Sequence, residues 1–284
     1  MKLVIVSGLS GSGKSVALHT LEDVGYYCID NLPAGLLGLL AIELSHAPNL
    51  VENAAVGIDA RNLPKALEQF NEILEQLEAS GISSEILFLT CETEALIKRF
   101  SETRRRHPLS NGGASLAEAV ERERTLLEPI AERAALFIDT TQTNVHQLRD
   151  LVMERVARQK KGRVSLLFES FGYKHGIPRD ADFVFDARCL PNPHWQPDLR
   201  PLTGRDRPVR EFLEADPQVE KMHRQLCEFL DQWLPEFEAG GRSYLSVAVG
   251  CTGGQHRSVY LIERLAQHFR QHYPNVVTRH RELP

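Results

Sequence analysis

Apolar positions in the first 160 residues follow two alternating rhythms. Short runs rich in β-branched and aromatic residues, Leu3–Val6, Tyr26–Ile29, Ala54–Ile58, Ile86–Leu89 and Leu136–Asp139, have the length and composition of buried strands. Between them lie stretches with helical spacing, among them Val16–Val24 (Ala17, Leu18, Leu21, Val24), Pro64–Ala79 and Thr93–Arg105. Ser115-x-x-Glu118 and Asn144-x-x-Gln147 read as capping boxes opening two more helices, the second running to about Lys160. Strand alternating with helix predicts a parallel α/β sheet of the size of a kinase-like P-loop domain.

Gln159-Lys160-Lys161-Gly162-Arg163 is polar and glycine-broken where that first pattern is complete, so it predicts a boundary between domains 1–160 and 161–284. The second domain opens with a strand-like run, Val164–Phe168, then becomes rich in Gly, Pro and His. Phe183–Phe185 and Tyr244–Val249 read as strands, Val219–Leu234 and Ser258–Arg270 as helices. No repeat or low-complexity tract stands out.

Gly8-Leu9-Ser10-Gly11-Ser12-Gly13-Lys14-Ser15 is a complete P-loop with a strand before it and a helix after it, the context that gives this motif its meaning. Its glycines let backbone N–H groups turn inward around a phosphate, and the helix N-terminus adds partial positive charge. Lys14 is expected to reach the β- and γ-phosphates and stabilise charge there, and Ser15 to hold Mg²⁺. The pattern predicts a nucleoside triphosphate, ATP or GTP, with Mg²⁺. The absence of an Asn-Lys-x-Asp tetrapeptide argues against a GTPase of the usual guanine-reading type.

Gly250-Cys251-Thr252-Gly253-Gly254-Gln255-His256-Arg257-Ser258 repeats the order of strand, glycine-rich turn and helix. It predicts a second anion site with donors from Thr252, Gly253, Gly254, His256, Arg257 and Ser258. A tight turn with a capping serine is one alternative. The Cys251-x5-Arg257-Ser258 spacing is another, because it resembles a phosphatase nucleophile loop, although no general acid is evident beside it. Lys174, His175, Asp186, Arg188 and His194 lie in the loop-rich stretch upstream and make a shared pocket plausible.

Asp30 and Asp59 end strand patterns, on the edge where open α/β sheets bind ligands, and each has an N-capping role as its alternative. Arg61 and Asn62 beside Asp59 add a cation and an amide, which favours ligand contact. Arg104-Arg105-Arg106-His107, followed by Pro108 and the glycines of Ser110–Gly113, suits either a basic lid over a transferring phosphate or charges complementing a helix C-terminus.

Composition narrows the setting. The chain of 284 residues is 42% hydrophobic and 25% charged, ordinary for a water-soluble protein. The longest apolar stretch, Leu36–Ile42, is too short to span a bilayer, and no signal peptide precedes the first strand pattern. Cysteines 28, 91, 189, 227 and 251 show no C-x-x-C spacing, so disulfides and zinc are not expected and a reducing cytoplasm is. The net charge of −5 is uneven, −6 over residues 1–160 and +1 over residues 161–284, and the second part holds seven of the eleven histidines. That part tolerates polyanions better than the first.

Long motifs in order over the full length make the chain similar to the RapZ/YvcJ family of P-loop nucleotide-binding proteins. They are Gly8–Ser15, Tyr27–Pro33, Asp59-Ala60-Arg61-Asn62, Phe168–Gly176, Leu190–Trp195 and Gly250–Ser258. The resemblance implies weak hydrolysis of ATP and GTP, with Gly8–Ser15 as the ATP segment and Asp59–Asn62 as the GTP segment. In enterobacterial members the second domain binds small regulatory RNA, presents it to an endoribonuclease and senses glucosamine-6-phosphate. Here the resemblance puts the amino-sugar phosphate at Gly250–Ser258 with His175, Asp186 and Arg188, and RNA at Lys174. A homo-oligomer is expected. The RNA-binding members end in a basic tail, whereas Arg279–Pro284 offers two arginines and one histidine, offset by Glu282. Few phosphate contacts mean weak, salt-sensitive binding. The rival expectations are a P-loop kinase acting on a small metabolite and an RNA adapter in which the P-loop is structural.

Overall fold

The structure, a computed structural model, describes residues 2–45, 51–103, 106–110, 115–157 and 164–283. The boundary expected over Gln159–Arg163, and Arg104, Arg105, Asn111, Gly112 and Gly113 of the expected basic lid, lie outside the described residues. The chain forms two compact units, Met1–Ala157 and Arg158–Pro284.

The first unit runs β1 (Lys2–Gly8), α1 (Lys14–Glu22), β2 (Tyr27–Ile29), α2 (Leu37–Ser45), β3 (Asn53–Gly57), α3 (Pro64–Glu68), α4 (Phe70–Ala79), β4 (Ser84–Thr90), α5 (Thr93–Thr103), α6 (Leu116–Leu126), α7 (Glu128–Ala131), β5 (Leu136–Asp139) and α8 (Val145–Val152). Its five strands form a parallel sheet in the order β2-β3-β1-β4-β5. This is the kinase-like α/β arrangement the strand rhythm predicts. β1 sits centrally because Leu3, Val4, Ile5 and Val6 are apolar on both faces, as a strand covered on both sides must be. The chain builds β2 and β3 on one side of β1, then crosses to build β4 and β5 on the other. Ligands of open α/β sheets bind at such a switch point, beyond the carboxyl ends of the strands. Both predicted capping boxes are present, Ser115 with Glu118 and Asn144 with Gln147.

The second unit runs β6 (Ser165–Gly172), β7 (Phe183–Asp186), α9 (Arg207–Glu214), α10 (Pro217–Ala239), β8 (Tyr244–Cys251), α11 (Arg257–Phe269) and β9 (Val276–His280). Its strands are also parallel, in the order β7-β8-β6-β9. β6 and β8 are buried along their whole lengths. Leu261, Ile262, Leu265 and Phe269 of α11 pack into the same core, as their spacing predicts. The strand β9 and the helix α9 were not among the predicted elements.

Candidate functional site

Two sites stand at the carboxyl ends of parallel strands, one in each unit. In the first, the P-loop leaves β1 and enters α1 through Gly13. That residue has φ 107°, in the left-handed region, and a Cβ there would lie 2.5 Å from Leu148 Cδ2. Only glycine fits both demands. The loop is closed from inside by Ser12, whose N–H and hydroxyl both donate to the Leu9 carbonyl, at 3.0 and 2.6 Å. The N–H groups of Gly11, Gly13, Lys14, Ser15 and Val16 have no acceptor among the described residues. They form the donor arc of an anion nest at a helix start.

Lys14 lies over this arc, its Nζ donating to the carbonyls of Gly8 at 2.7 Å and Leu9 at 3.1 Å. Burial pushes its pKa down, while Glu123 first and Asp59 second oppose the shift. The loop lines a cavity of about 1070 Å³, together with Asp30, Asp59 and Arg61 on one wall and Arg99, Thr140 and Asn144 on the other. Arg99 NH1 donates to the Gly11 carbonyl at 3.1 Å and to Thr140 Oγ1 at 3.0 Å, tying α5 and the turn after β5 to the loop.

The Asp59–Asn62 segment is largely self-bonded. Arg61 grips Asp59 through its backbone N–H (2.9 Å), Nε (3.0 Å to both oxygens) and NH2 (2.6 Å). Burial alone would raise the Asp59 carboxyl, but the Arg61 bonds and the Lys14 charge hold it below the usual carboxylate range. Asn62 accepts from the Ala34 N–H at 2.6 Å and donates to the carbonyls of Leu32 and Asp59, both at 3.2 Å. Its amide therefore bolts two loops together, and Asp59 and Arg61 are the side chains of the segment that line the cavity. Ala60 is buried. Asp30 is exposed at the end of β2 and lines the cavity.

The second unit uses the same local device. Arg188 grips Asp186 through its N–H (2.9 Å), Nε (3.0 and 2.9 Å) and NH2 (2.7 Å), and this hydrogen bonding lowers the Asp186 carboxyl. Each Asp-Ala-Arg triplet stands at the carboxyl end of the strand that pairs directly with the loop-bearing strand, β3 beside β1 and β7 beside β8. The recurrence is legible in the sequence once the two sheets are known. Arg188 also lies 3.9 Å from the centroid of the Tyr173 ring, a cation–π contact.

The Gly250–Ser258 loop leaves its backbone amides open, but several of its side chains turn inward. The N–H groups of Thr252–Ser258 have no acceptor among the described residues. Gly254 has φ 71°, and a Cβ there would run into the Glu282 carboxylate. His256 is buried, its Nε2 at 3.2 Å from the Leu199 carbonyl, and burial lowers its pKa. Arg257 is buried and donates to the carbonyls of Arg188 (3.0 Å) and Leu190 (3.1 Å), bracing the segment that carries Asp186 and Arg188. Cys251 is 2% exposed, its Sγ 3.1 Å from the buried Ser258 hydroxyl. That burial removes the phosphatase-like alternative, because a nucleophilic thiol must meet its substrate. The side chains of His256, Arg257 and Ser258 thus shape the loop and Gly254 is buried beneath it, while Thr252 is exposed, as are Lys174 and His175 on the turn Tyr173–His175.

Sequence reasoning missed Glu123 and the partner role of His107. Ser10 donates to Glu123 through both its N–H (2.8 Å) and its hydroxyl (2.7 Å), and His107 Nε2 lies 3.0 Å from the same carboxylate. One signal was available: Glu123 is the carboxylate on the apolar stripe of α6, in register with Ala119, Val120 and Leu127. Among the described residues no three His, Cys, Asp or Glu side chains converge to hold a metal ion, all five cysteines are free, and no helix is long and apolar enough to cross a membrane.

Comparison with known proteins divides the chain in the same two parts. A family model described as the RapZ-like N-terminal domain matches residues 1–160, and one described as the RapZ C-terminal domain matches residues 164–284. The chain is 60% identical over 284 residues to a protein of Alkalilimnicola ehrlichii named "Nucleotide-binding protein", covering all of this chain and 98% of that one. It is 57% identical over 283 residues to a protein of the same name from Nitrosococcus oceani, with full coverage of both. Among solved structures, a sugar kinase from Janibacter sp. HTCC2649 is similar at a TM-score of 0.36 and 20% identity, over 54% of this chain and 92% of its own. With both domain models matched in order and relatives this similar along its whole length, the chain belongs to the RapZ family.

Proposed function

We propose that the first unit binds ATP or GTP with Mg²⁺ and hydrolyses it slowly, and that the protein is regulatory. One observation carries this reading: the five unmatched amides of Gly11 and Gly13–Val16 facing a cavity beside the Lys14 ammonium. The names of the relatives point the same way. Ser15 lines the cavity at the helix start, where its hydroxyl suits Mg²⁺. Asp30 and Glu102 also line the cavity, and the ion would take most of its ligands from phosphates and water, as Mg²⁺ usually does. Mg²⁺ supplies charge neutralisation on the triphosphate. Lys14 and the loop amides orient the phosphates and stabilise the charge that develops on them. Asp59, bonded on both oxygens by Arg61, is a poor base for water, which accounts for slow turnover.

Lys14→Ala is the test. A charge-assisted hydrogen bond contributes about 1.5–3 kcal/mol. Nucleotide affinity, titrated with a fluorescent ATP analogue, should therefore fall roughly 10- to 100-fold. Unchanged affinity would sink the reading.

For the second unit we infer a phosphate site at the Gly250–Ser258 amides, with Asp186, Arg188 and His175 at its rim, for an amino-sugar phosphate such as glucosamine-6-phosphate. Lys174, with the loop, would contact a small regulatory RNA presented to an endoribonuclease in the cytoplasm. Exposed Leu36, Leu39 and Leu63 favour a homo-oligomer through the first unit. RNA binding by the full chain over a salt series, with and without glucosamine-6-phosphate, separates these roles. Salt-steep binding that Lys174→Ala and the sugar phosphate both weaken supports the adapter reading, and binding no better than to a random RNA rejects it.

A second reading rests on the cavity. At about 1070 Å³ it stands at the upper end of the roughly 300–1,000 Å³ range of ligand sites, and Asp30, Glu102 and Arg106 line it beyond the loop. A small-molecule kinase would put labelled γ-phosphate on a metabolite, whereas a nucleotidase would release it as inorganic phosphate.

A further inference from the structure

The lip of the P-loop at Ser10 and the far wall of its cavity at Arg106–Ser110 share one buried carboxylate. Glu123, on the inner face of α6, is fully buried, as is the His107 side chain. Its Oε1 accepts from the Ser10 hydroxyl at 2.7 Å, and its Oε2 accepts from the Ser10 N–H at 2.8 Å and from His107 Nε2 at 3.0 Å. The Leu109 N–H donates to His107 Nδ1 at 3.1 Å, so the ring carries its hydrogen on Nε2 and gives it to Glu123. The Ser110 hydroxyl closes the turn on the His107 carbonyl at 2.7 Å. Phe100, which packs against His107 at 5.3 Å between ring centroids, lies beneath Gly11 of the loop. Ser10, Phe100, Arg106 and Pro108 all line the cavity.

Ser10 is therefore the one loop residue from Ser10 to Val16 whose amide and side chain are both held by α6, and the same holder fixes the turn at the opposite wall. Among the charged groups around Lys14, Glu123 acts on it most strongly.

We propose that Glu123 is a positioning residue that couples the P-loop to the Arg106–Ser110 wall, so that a nucleotide settling on the loop draws that wall into order through Ser10, Glu123 and His107. The inference rests on the nucleotide reading of the first unit. Coupling of this kind is reciprocal: fixing the wall strengthens nucleotide binding by the factor with which nucleotide fixes the wall.

The test uses the full chain, with MgATP as the probe. Affinity is measured by titration, and hydrogen exchange is followed at the Leu109 and Ser110 amides with and without the nucleotide. In the wild-type protein MgATP should slow exchange there about tenfold or more, as expected of a network ordered on binding. His107→Phe keeps the ring packing on Phe100 but loses both ring nitrogens. It should abolish the MgATP-dependent protection and weaken affinity severalfold. Glu123→Ala should do the same. Glu123→Gln should restore both readouts, because its amide oxygen can take the Ser10 and His107 N–H groups while its NH2 donates to the Ser10 hydroxyl. A normal titration with wild-type protection retained in His107→Phe, or with no protection in the wild type, overturns the coupling alone. Absence of any titration by MgATP in the wild type overturns the nucleotide reading and the coupling with it.

Discussion

Asn62 holds three backbone groups from two loops with a single buried amide: the Ala34 N–H and the carbonyls of Leu32 and Asp59. Leaving such groups unpaired in the interior costs about 1–3 kcal/mol each before relaxation and water entry reduce it. Asn62→Ala should lower stability by roughly 2–4 kcal/mol, read by urea denaturation, and displace Arg61 from the cavity wall. A change below ~0.5 kcal/mol would mean the bolt is not needed. Glu169 gives a pH-dependent prediction. Burial in β6 pushes its carboxyl up to about 7, with Arg279 at 3.2 Å opposing the shift only in part. The folded chain then holds this proton between about pH 4.5 and 7 while the unfolded chain releases it, so this group's contribution to stability falls as pH rises through that window. Glu169→Gln should gain on the wild type by up to about 3 kcal/mol from pH 4.5 to pH 8. A pH-independent difference between the two melting curves refutes the assignment. At this scale the sequence singled out Lys14, Asp59 and Arg61 as candidates, and the structure places all three on one cavity. The sequence could not show that Arg61 closes on Asp59 or that Arg257 points at carbonyls, because both depend on rotamers set by neighbours in space.

Elements with a local cause were legible. The capping boxes at Ser115 and Asn144 bond as their spacing requires, since cap and N3 residue lie within one turn. Ser115→Ala should lower stability by about 1 kcal/mol, measurable as a shift in the denaturation midpoint; no shift would make that cap redundant. The P-loop turn is similarly local, and Gly13→Ala should weaken nucleotide binding tenfold or more by forcing Cβ onto Leu148, with Lys14→Ala as the reference loss. Wild-type affinity in Gly13→Ala would show that the turn adapts. Elements with a non-local cause were not legible. The run read as one helix from Pro64 to Ala79 is two, broken at Gln69 (φ −87°, ψ 10°), although its apolar spacing continues through the break. Strand β9 pairs along β6 from Leu166 to Ser170, yet Val276–Arg279 are only half-buried and lack the alternation or continuous apolar run that marks a strand.

Across the whole molecule, each unit has its own parallel sheet and its own apolar core. We therefore expect the segment 164–284, expressed alone, to unfold cooperatively with native-like circular dichroism; a non-cooperative melt would show that it needs residues 1–160. The amino-acid sequence by itself determined the α/β class, the first glycine loop with its flanking strand and helix, and the position of a second glycine loop. Those features depend on apolar period, on caps and on glycine at strained φ, all properties of residues within a few positions of one another. Only the tertiary structure decided which donors remain open to a ligand. It turned His256, Arg257 and Ser258 inward, joined Arg61 to Asp59, and brought Glu123 to Ser10 across 113 residues of chain. Hydrogen bonds form between groups that packing brings together, and a linear pattern does not encode that distance until strands and helices have found their order.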